Sequence, residues 1–365
     1  MEEKSYWLGF SLFPGVGPTK FAKLLQTFLS AKDAWEANPA DLKSILGEVL
    51  TNEFILFRQK ISLQENAEKL IQKKIQIITL DDKAYPELLK KKHNPPFLLY
   101  VKGNIENLHA QKIIGVVGTR NVTAYGKEVT QTLTTQLVQQ GFVVVSGLAL
   151  GVDATAHATT VQHQGKTIAV LGCGVDCCTP QTNQSIYDAI LDSGGTIVST
   201  FPPGAQASKG SFPARNAIIA GVSQGVLVTE GTEDSGALIT AQRAKELHRP
   251  VFSVPGPITS HYSKGANILL QQGAIAVTNV GDIMKHLGYN SVILANEVRP
   301  GSVSEARMTS NNSEEQQILN MLQLQPLHFD EIVRTVEKDA KIVGSLLSLM
   351  EIKGMIKNSG GIYSL

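Results

Sequence analysis

Between residues 76 and 289 the chain alternates short apolar runs, rich in valine and isoleucine, with longer stretches of helical character. The runs fall at 75–80, 97–101, 113–117, 143–145, 168–171, 196–199, 225–228, 251–254 and 275–277. Several are apolar on both faces. A strand that is apolar on both faces has to be covered on both, which is the situation of a parallel sheet between two layers of helices. Helix candidates at 126–140, 182–193 and 237–247 lie between the runs. Strand, turn and helix therefore repeat as in an α/β, doubly wound, mostly parallel sheet, whose ligands gather at the carboxyl ends of the strands.

The flanks differ. Residues 1–75 read as helical, with Phe21, Leu24, Leu25 and Phe28 at helical spacing. Residues 290–312 turn polar and lose periodicity, which predicts a linker. Residues 313–365 return to helices and close on a hairpin pattern. A chain of 365 residues exceeds one ordinary core, so two or three domains are expected. With 33 basic and 32 acidic residues the net charge is +1. Such a chain has no global field to attract a polyanion, so nucleic-acid binding would need a local patch.

The start, MEEKSYWLGF, lacks the basic and then apolar order of a signal peptide. No run approaches the ~18 apolar residues of a membrane span. Cys173, Cys177 and Cys178 are too few and too clustered for a disulfide framework. These features point to a cytoplasmic protein with no membrane contact.

The densest functional signal is KGSFPARN, Lys209 to Asn216, read as a loop at the mouth of the sheet. Lys209 and Arg215 suit phosphates, and Phe212 suits a base. An exposed loop with ordinary charges is the plainer alternative. The run at 113–117 ends in Gly118-Thr119-Arg120, a small turn whose N–H groups and arginine fit an anion. The run at 143–145 leads into SGLALGVDATAH, where Ser146, Gly147 and Gly151 allow close backbone approach. Asp153 and His157 share a helix face four residues apart. The favoured reading gives Asp153 to the helix dipole and His157 to packing, ahead of acid–base or metal chemistry.

The three cysteines lie in GCGVDCC and read as small buried hydrophobes rather than zinc ligands. TEGTEDSG holds Glu230, Glu233 and Asp234, a helix cap on one reading and water-activating acids on another. PGPITSHYSKGAN adds a polar turn with Ser263, Lys264, Gly265 and Asn267. Neither a P-loop nor a dinucleotide fingerprint occurs, and no cofactor or metal is expected.

VVGTRNVTAYG, SGLALGVDATAHA, AVLGCGVD, FPARNAIIAG, VTEGTEDSGALITA and FSVPGPITSHYSKGAN follow one another between residues 113 and 273. In that order they resemble the DNA-processing protein A family (DprA, also called Smf). The resemblance implies an extended Rossmann domain that binds single-stranded DNA, forms a homodimer and hands incoming DNA to the RecA recombinase in natural transformation. Carried over residue by residue, it implies DNA contacts at Arg120, Gly147, Lys209, Phe212, Arg215, Asn216, Ser263, Lys264 and Gly265. This sequence departs from the family's habit at Ala217, where a second arginine is common, and at Cys178-Thr179-Pro180 and Thr200. FPGVGPTKFAKLLQTF resembles the family's N-terminal helix-hairpin-helix or SAM-like unit. The C-terminal segment resembles its winged helix, with helices near 314–322, 329–337 and 340–352 and a wing at 355–365. The winged segment is net −2, with 5 basic and 7 acidic residues in 313–365, which favours protein contact over duplex DNA.

The expected function is non-enzymatic binding of single-stranded DNA with RecA loading. The rival is a nucleotide hydrolase of the lysine-decarboxylase-like Rossmann group, and a third reading is a scaffold with a vestigial mouth.

Overall fold

The computed structural model describes residues 3–289 and, toward the C-terminus, residues 318–319, 321–322, 326–336, 340–352, 356–359 and 361–364. Each of the expected central strands forms. They are β1 (Gln76–Thr79), β2 (Leu98–Gly103), β3 (Ile113–Val117), β4 (Val143–Ser146), β5 (Thr167–Val170), β6 (Thr196–Ser199), β7 (Val226–Val228), β8 (Val251–Ser253) and β9 (Ile275–Ala276). They build one sheet in the order β1-β2-β6-β5-β4-β3-β7-β8-β9. Every pairing from β6 to β9 is parallel. β1 and β2 run antiparallel at one edge.

The chain winds outward from β3 through β4, β5 and β6, then crosses back to β7, β8 and β9 on the other side. The winding reverses between β3 and β7, where an open α/β sheet leaves a crevice at its strand ends. Both faces are covered, and alternate residues of a strand enter different cores. Val226 and Val228 of β7 pack under helices Ser211–Val222 and Gly236–Glu246, with Ile218, Ile219 and Ala241. Leu227 between them packs with Phe252, Leu133 and Met284 on the opposite face. Full burial of one such side chain stabilises the fold by about 1.5–3 kcal/mol. This double covering is why the strands read as unbroken apolar runs.

Helices between Glu3 and Gln72 precede β1. Their core is aromatic: Phe10, Trp35 and Phe54 pack edge to face or stacked, Trp7 packs edge to face on Phe21, and Phe21 stacks on Phe97 at 4.1 Å. A turn joins helix Glu3–Leu12 to helix Pro18–Phe28. Gly15 takes φ +106°, and Gly17 precedes helix Pro18–Phe28 with proline at its first position, where a missing N–H costs nothing.

Met1–Val292 form one compact unit and Ile293–Leu365 a second. The second is a winged helix. Helices Phe329–Val336 and Ala340–Ile352 bury Ile332, Val343, Leu347 and Met350. Beside them β10 (Leu327–His328), β11 (Lys357–Ser359) and β12 (Ile362–Ser364) pair antiparallel in the order β10-β12-β11. β11 and β12 form the expected wing. The expected linker at 290–312 and the first residues of the 314–322 helix lie outside the described residues.

Candidate functional site

A cleft of about 370 Å³ opens where β3 and β7 end side by side. Its lining comes from the turn Gly118–Arg120, from Lys209 and Phe212, and from Ser235, Gly236 and Thr240 across the gap. Two helices start at this cleft, Ser211–Val222 and Gly236–Glu246. Helix starts present unpaired N–H groups and a positive dipole end, so they favour anions.

The octet is not a loop throughout, contrary to expectation. Lys209 and Gly210 precede the helix, whereas Ser211 to Asn216 form its first turns. Pro213 stands third in that helix, a place where its missing N–H removes no helical hydrogen bond. Ser211 Oγ accepts from Ser208 N at 3.0 Å and donates to Ser208 O at 2.9 Å, which closes the entry turn.

The helix sorts the octet into an outer and an inner set. Lys209 and Arg120 are exposed, and Phe212 is half-buried. The Arg120 guanidinium lies over the Phe212 ring, 5.1 Å from its centroid. The pair also borders a smaller hollow of about 100 Å³ with Leu150, Pro180 and Ala207. Asn216 donates to Gly236 O at 3.2 Å and so ties the two helix starts together.

Arg215, expected as a phosphate ligand, lines the cleft, but most of its hydrogen-bonding capacity is spent within the protein. Its residue is 6% exposed. Nη1 donates to Gly147 O and, at 2.9 Å, to Val170 O. Nε donates to Asn216 Oδ1 at 2.9 Å, and Nη2 lies 3.6 Å from Asp153 Oδ2. Asp153 in turn accepts from Gly147 N at 3.1 Å and Ala149 N at 3.4 Å. Burial raises the Asp153 carboxyl above its usual range against the opposing pull of Arg215. Gly147 belongs to this network as backbone. A Cβ there would overlap the Arg215 guanidinium. Gly151 holds φ +75° beneath the carbonyls of Thr119 and Arg120, so glycine serves both conformation and space.

His157 packs, in line with the favoured reading. It is buried, with Nδ1 2.7 Å from Thr167 Oγ1. Burial first and the Arg215 charge second push its pKa down to about 3, so the ring is neutral. Glu230 does not cap the helix that follows it, whose N-cap is Ser235, but serves the entry of helix Ala124–Gln139. It is 2% exposed, and it accepts from Thr123 N at 2.8 Å and Thr123 Oγ1 at 2.6 Å. Asp234 does line the cleft, where a 2.6 Å hydrogen bond from Thr232 holds its carboxyl below the usual range.

The turn 263–265 is not among the residues lining the cleft. Gly265 N donates to Gly231 O at 2.8 Å and so braces the 230–235 loop, and Ser263 is buried behind Gly256. Lys264 is exposed at the start of helix Lys264–Gln271. Among the described residues no cluster of three or more His, Cys, Asp or Glu is placed to hold a metal ion. No described helix is long and apolar enough to cross a membrane.

Residues 76–288 match the family model of DNA recombination-mediator protein A. The chain belongs to that family. Residues 304–361 also match the DprA winged helix domain. Among relatives, Protein Smf of Synechocystis is 38% identical over 291 residues, covering 78% of this chain and 73% of its own length. DNA processing protein DprA of Bacillus subtilis is 41% identical over 218 residues, 60% of this chain and 73% of the relative. The X-ray structure of Streptococcus pneumoniae DprA superposes with a TM-score of 0.68 at 35% identity, covering 77% of this chain and 97% of that one. A structure of DprA from Helicobacter pylori, solved for insight into that protein's single-stranded DNA binding mode, gives 0.53 at 31% identity, covering 59% and 98%.

Proposed function

We propose that this chain binds single-stranded DNA at the β3–β7 cleft without catalysing a reaction, protects it, and passes it to the RecA recombinase during natural transformation or related DNA processing in the cytoplasm. The observation that carries this reading is the Arg120–Phe212 pair at the mouth. A cation and a ring in contact offer one group to a phosphate and the other to a base or sugar. Lys209 adds a second exposed cation, and the starts of the two helices add N–H donors. The single-stranded DNA binding of the Helicobacter pylori relative supports the same ligand class. A homodimer would present two clefts to one strand and raise avidity.

The hydrolase alternative needs a free acid beside the ligand. Glu230 is committed to Thr123 and Asp153 to Arg215, which leaves Asp234, held by Thr232, as the acid in the cleft lining open to that role. Base release from nucleoside monophosphates that disappears in Asp234→Asn would support it.

The test of DNA binding is fluorescence anisotropy over a salt titration, with single-stranded and duplex DNA. Arg120→Ala and Lys209→Ala should each lower the salt slope by about 0.7, the value for one phosphate contact on a single strand. Unchanged slopes in both variants would reject the cleft as the site. Adding RecA to the same samples tests the transfer step, and sedimentation tests the dimer.

A further inference from the structure

The cleft continues past the first turn of helix Ser211–Val222. Pro213 lines it and also lines a second hollow of about 430 Å³ on the outer side of the same helix. Both hollows follow the seam between that helix and Gly236–Glu246. Ile239 and Thr240 line the first, and Arg243 and Glu246 line the second. At ~1.5 Å per residue, the step from Ile239 to Glu246 is about 10 Å.

The facing wall of the second hollow carries Lys92 and His93, the end of the basic run Lys90-Lys91-Lys92-His93. Lys92 Nζ is seated on backbone, donating to His93 O at 3.0 Å and Asn94 O at 3.2 Å. Its ammonium is thereby held at the groove rather than swinging in solvent. Arg243 pairs with Glu246 at 2.8 Å, both side chains being nearly half exposed. An exposed pair of this kind contributes ~0–1 kcal/mol, so its arginine can exchange partners readily. Lys92 loses proton affinity first through burial and then through repulsion from Arg243. The two cations repel each other across the groove, which Glu246 offsets only in part, and a phosphate between them would add to that relief. The floor is Pro213, Ala214 and Ala217, small side chains that offer no hydrogen-bond donor to read a base edge.

We propose that this groove is a second subsite, in which Lys92 and Arg243 hold backbone phosphates of a single strand leaving the cleft over Pro213. The 10 Å step accommodates about three nucleotides at the ~3.4 Å spacing of a stacked strand. The proposal rests on the single-stranded DNA reading above. Continuity with the cleft selects that polyanion, and the plain floor makes the subsite indifferent to sequence.

The test compares oligothymidylates of about 3 and about 20 nucleotides, the first too short to occupy the cleft and also cross the ~10 Å step. Anisotropy is read for the full chain, for Lys92→Ala/Arg243→Gln and for Arg243→Glu. The second variant alters an exposed helix position only, so it guards against misfolding caused by loss of the Lys92 contacts. With the long oligonucleotide the double variant should lose ~1.4 of salt slope. Between about 50 and 200 mM salt its affinity should then fall about sevenfold less than that of the unmodified chain. Arg243→Glu should weaken the long oligonucleotide and leave the short one unchanged. Equal losses at both lengths, or none at the longer, overturn the subsite. Unmodified protein that binds neither oligonucleotide takes down the underlying reading and the subsite with it.

Discussion

Replacing Arg215 by methionine separates a buried strut from a phosphate ligand. The change removes a guanidinium that serves Gly147 O, Val170 O, Asn216 Oδ1 and Asp153, while roughly keeping the side chain's length. Asp153 keeps its two backbone N–H donors but loses its cation. Breaking a buried pair on one side costs about 3–5 kcal/mol. For a unit of this size, each kcal/mol moves the melting midpoint by roughly 2–4 °C, so a fall of about 6–20 °C is expected. Arg215→Met/Asp153→Asn should recover part of that loss, because no charge is left stranded and the amide oxygen still accepts from the loop. Thermal denaturation by circular dichroism reads the stability, and the salt slope for single-stranded DNA is measured where all variants are folded. The strut should change the midpoint and leave the slope. A variant that melts like the unmodified chain yet loses ~0.7 of slope would refute this reasoning and return Arg215 to the ligand.

Phe212→Ala should weaken single-stranded DNA binding by about 1–3 kcal/mol across base compositions without changing the salt slope, as titrations with mixed oligonucleotides would read. Gly147→Ala should lower the melting midpoint, because its Cβ meets the Arg215 guanidinium and overpacking costs about 1–3 kcal/mol. His157 predicts acid sensitivity. Its folded pKa of about 3 lies below the ordinary ~6.5, so the unfolded chain takes up the proton first as pH falls. Its contribution is complete above ~6.5 and is lost between there and ~3, with about 2 kcal/mol gone at about pH 5. Urea denaturation at about pH 5 and 7.5 should show that loss, and His157→Gln should remove most of it.

The sheet was legible because its chemistry is local. Runs such as Ile113–Val117 are buried on both sides, so every residue had to be apolar. The turn Gly118–Arg120 was legible for the same reason, lying directly after a strand. The octet was legible as a functional stretch but not as a helix, since glycine and proline look like loop punctuation until the helix start is seen to tolerate both. Arg215 could not be placed from its neighbours. Its partners Gly147 and Val170 stand at the ends of β4 and β5 and Asp153 in the first turn of helix Val152–Gln162, places that only the fold brings together. One signal did exist. A carboxylate at position 153 inside an otherwise apolar stretch has to find a cation once buried, though nothing local says which. The turn 263–265 was legible as a polar, glycine-bearing turn but its place was not, since only the fold sets Gly265 against the 230–235 loop and leaves Lys264 exposed.

Glu230 also bears on what can enter the cleft. Its carbonyl accepts from Thr119 N at 2.8 Å, and its carboxylate grips Thr123, so the loops after β3 and β7 are stitched together. A gap sewn at its base does not widen to admit a ligand, and the ligand must do the bending. Duplex DNA resists bending over about 150 base pairs, whereas a single strand folds at nearly every backbone bond. On the proposed reading, the stitch makes the protein a gauge of stiffness, sorting single strands from duplex before any base is touched.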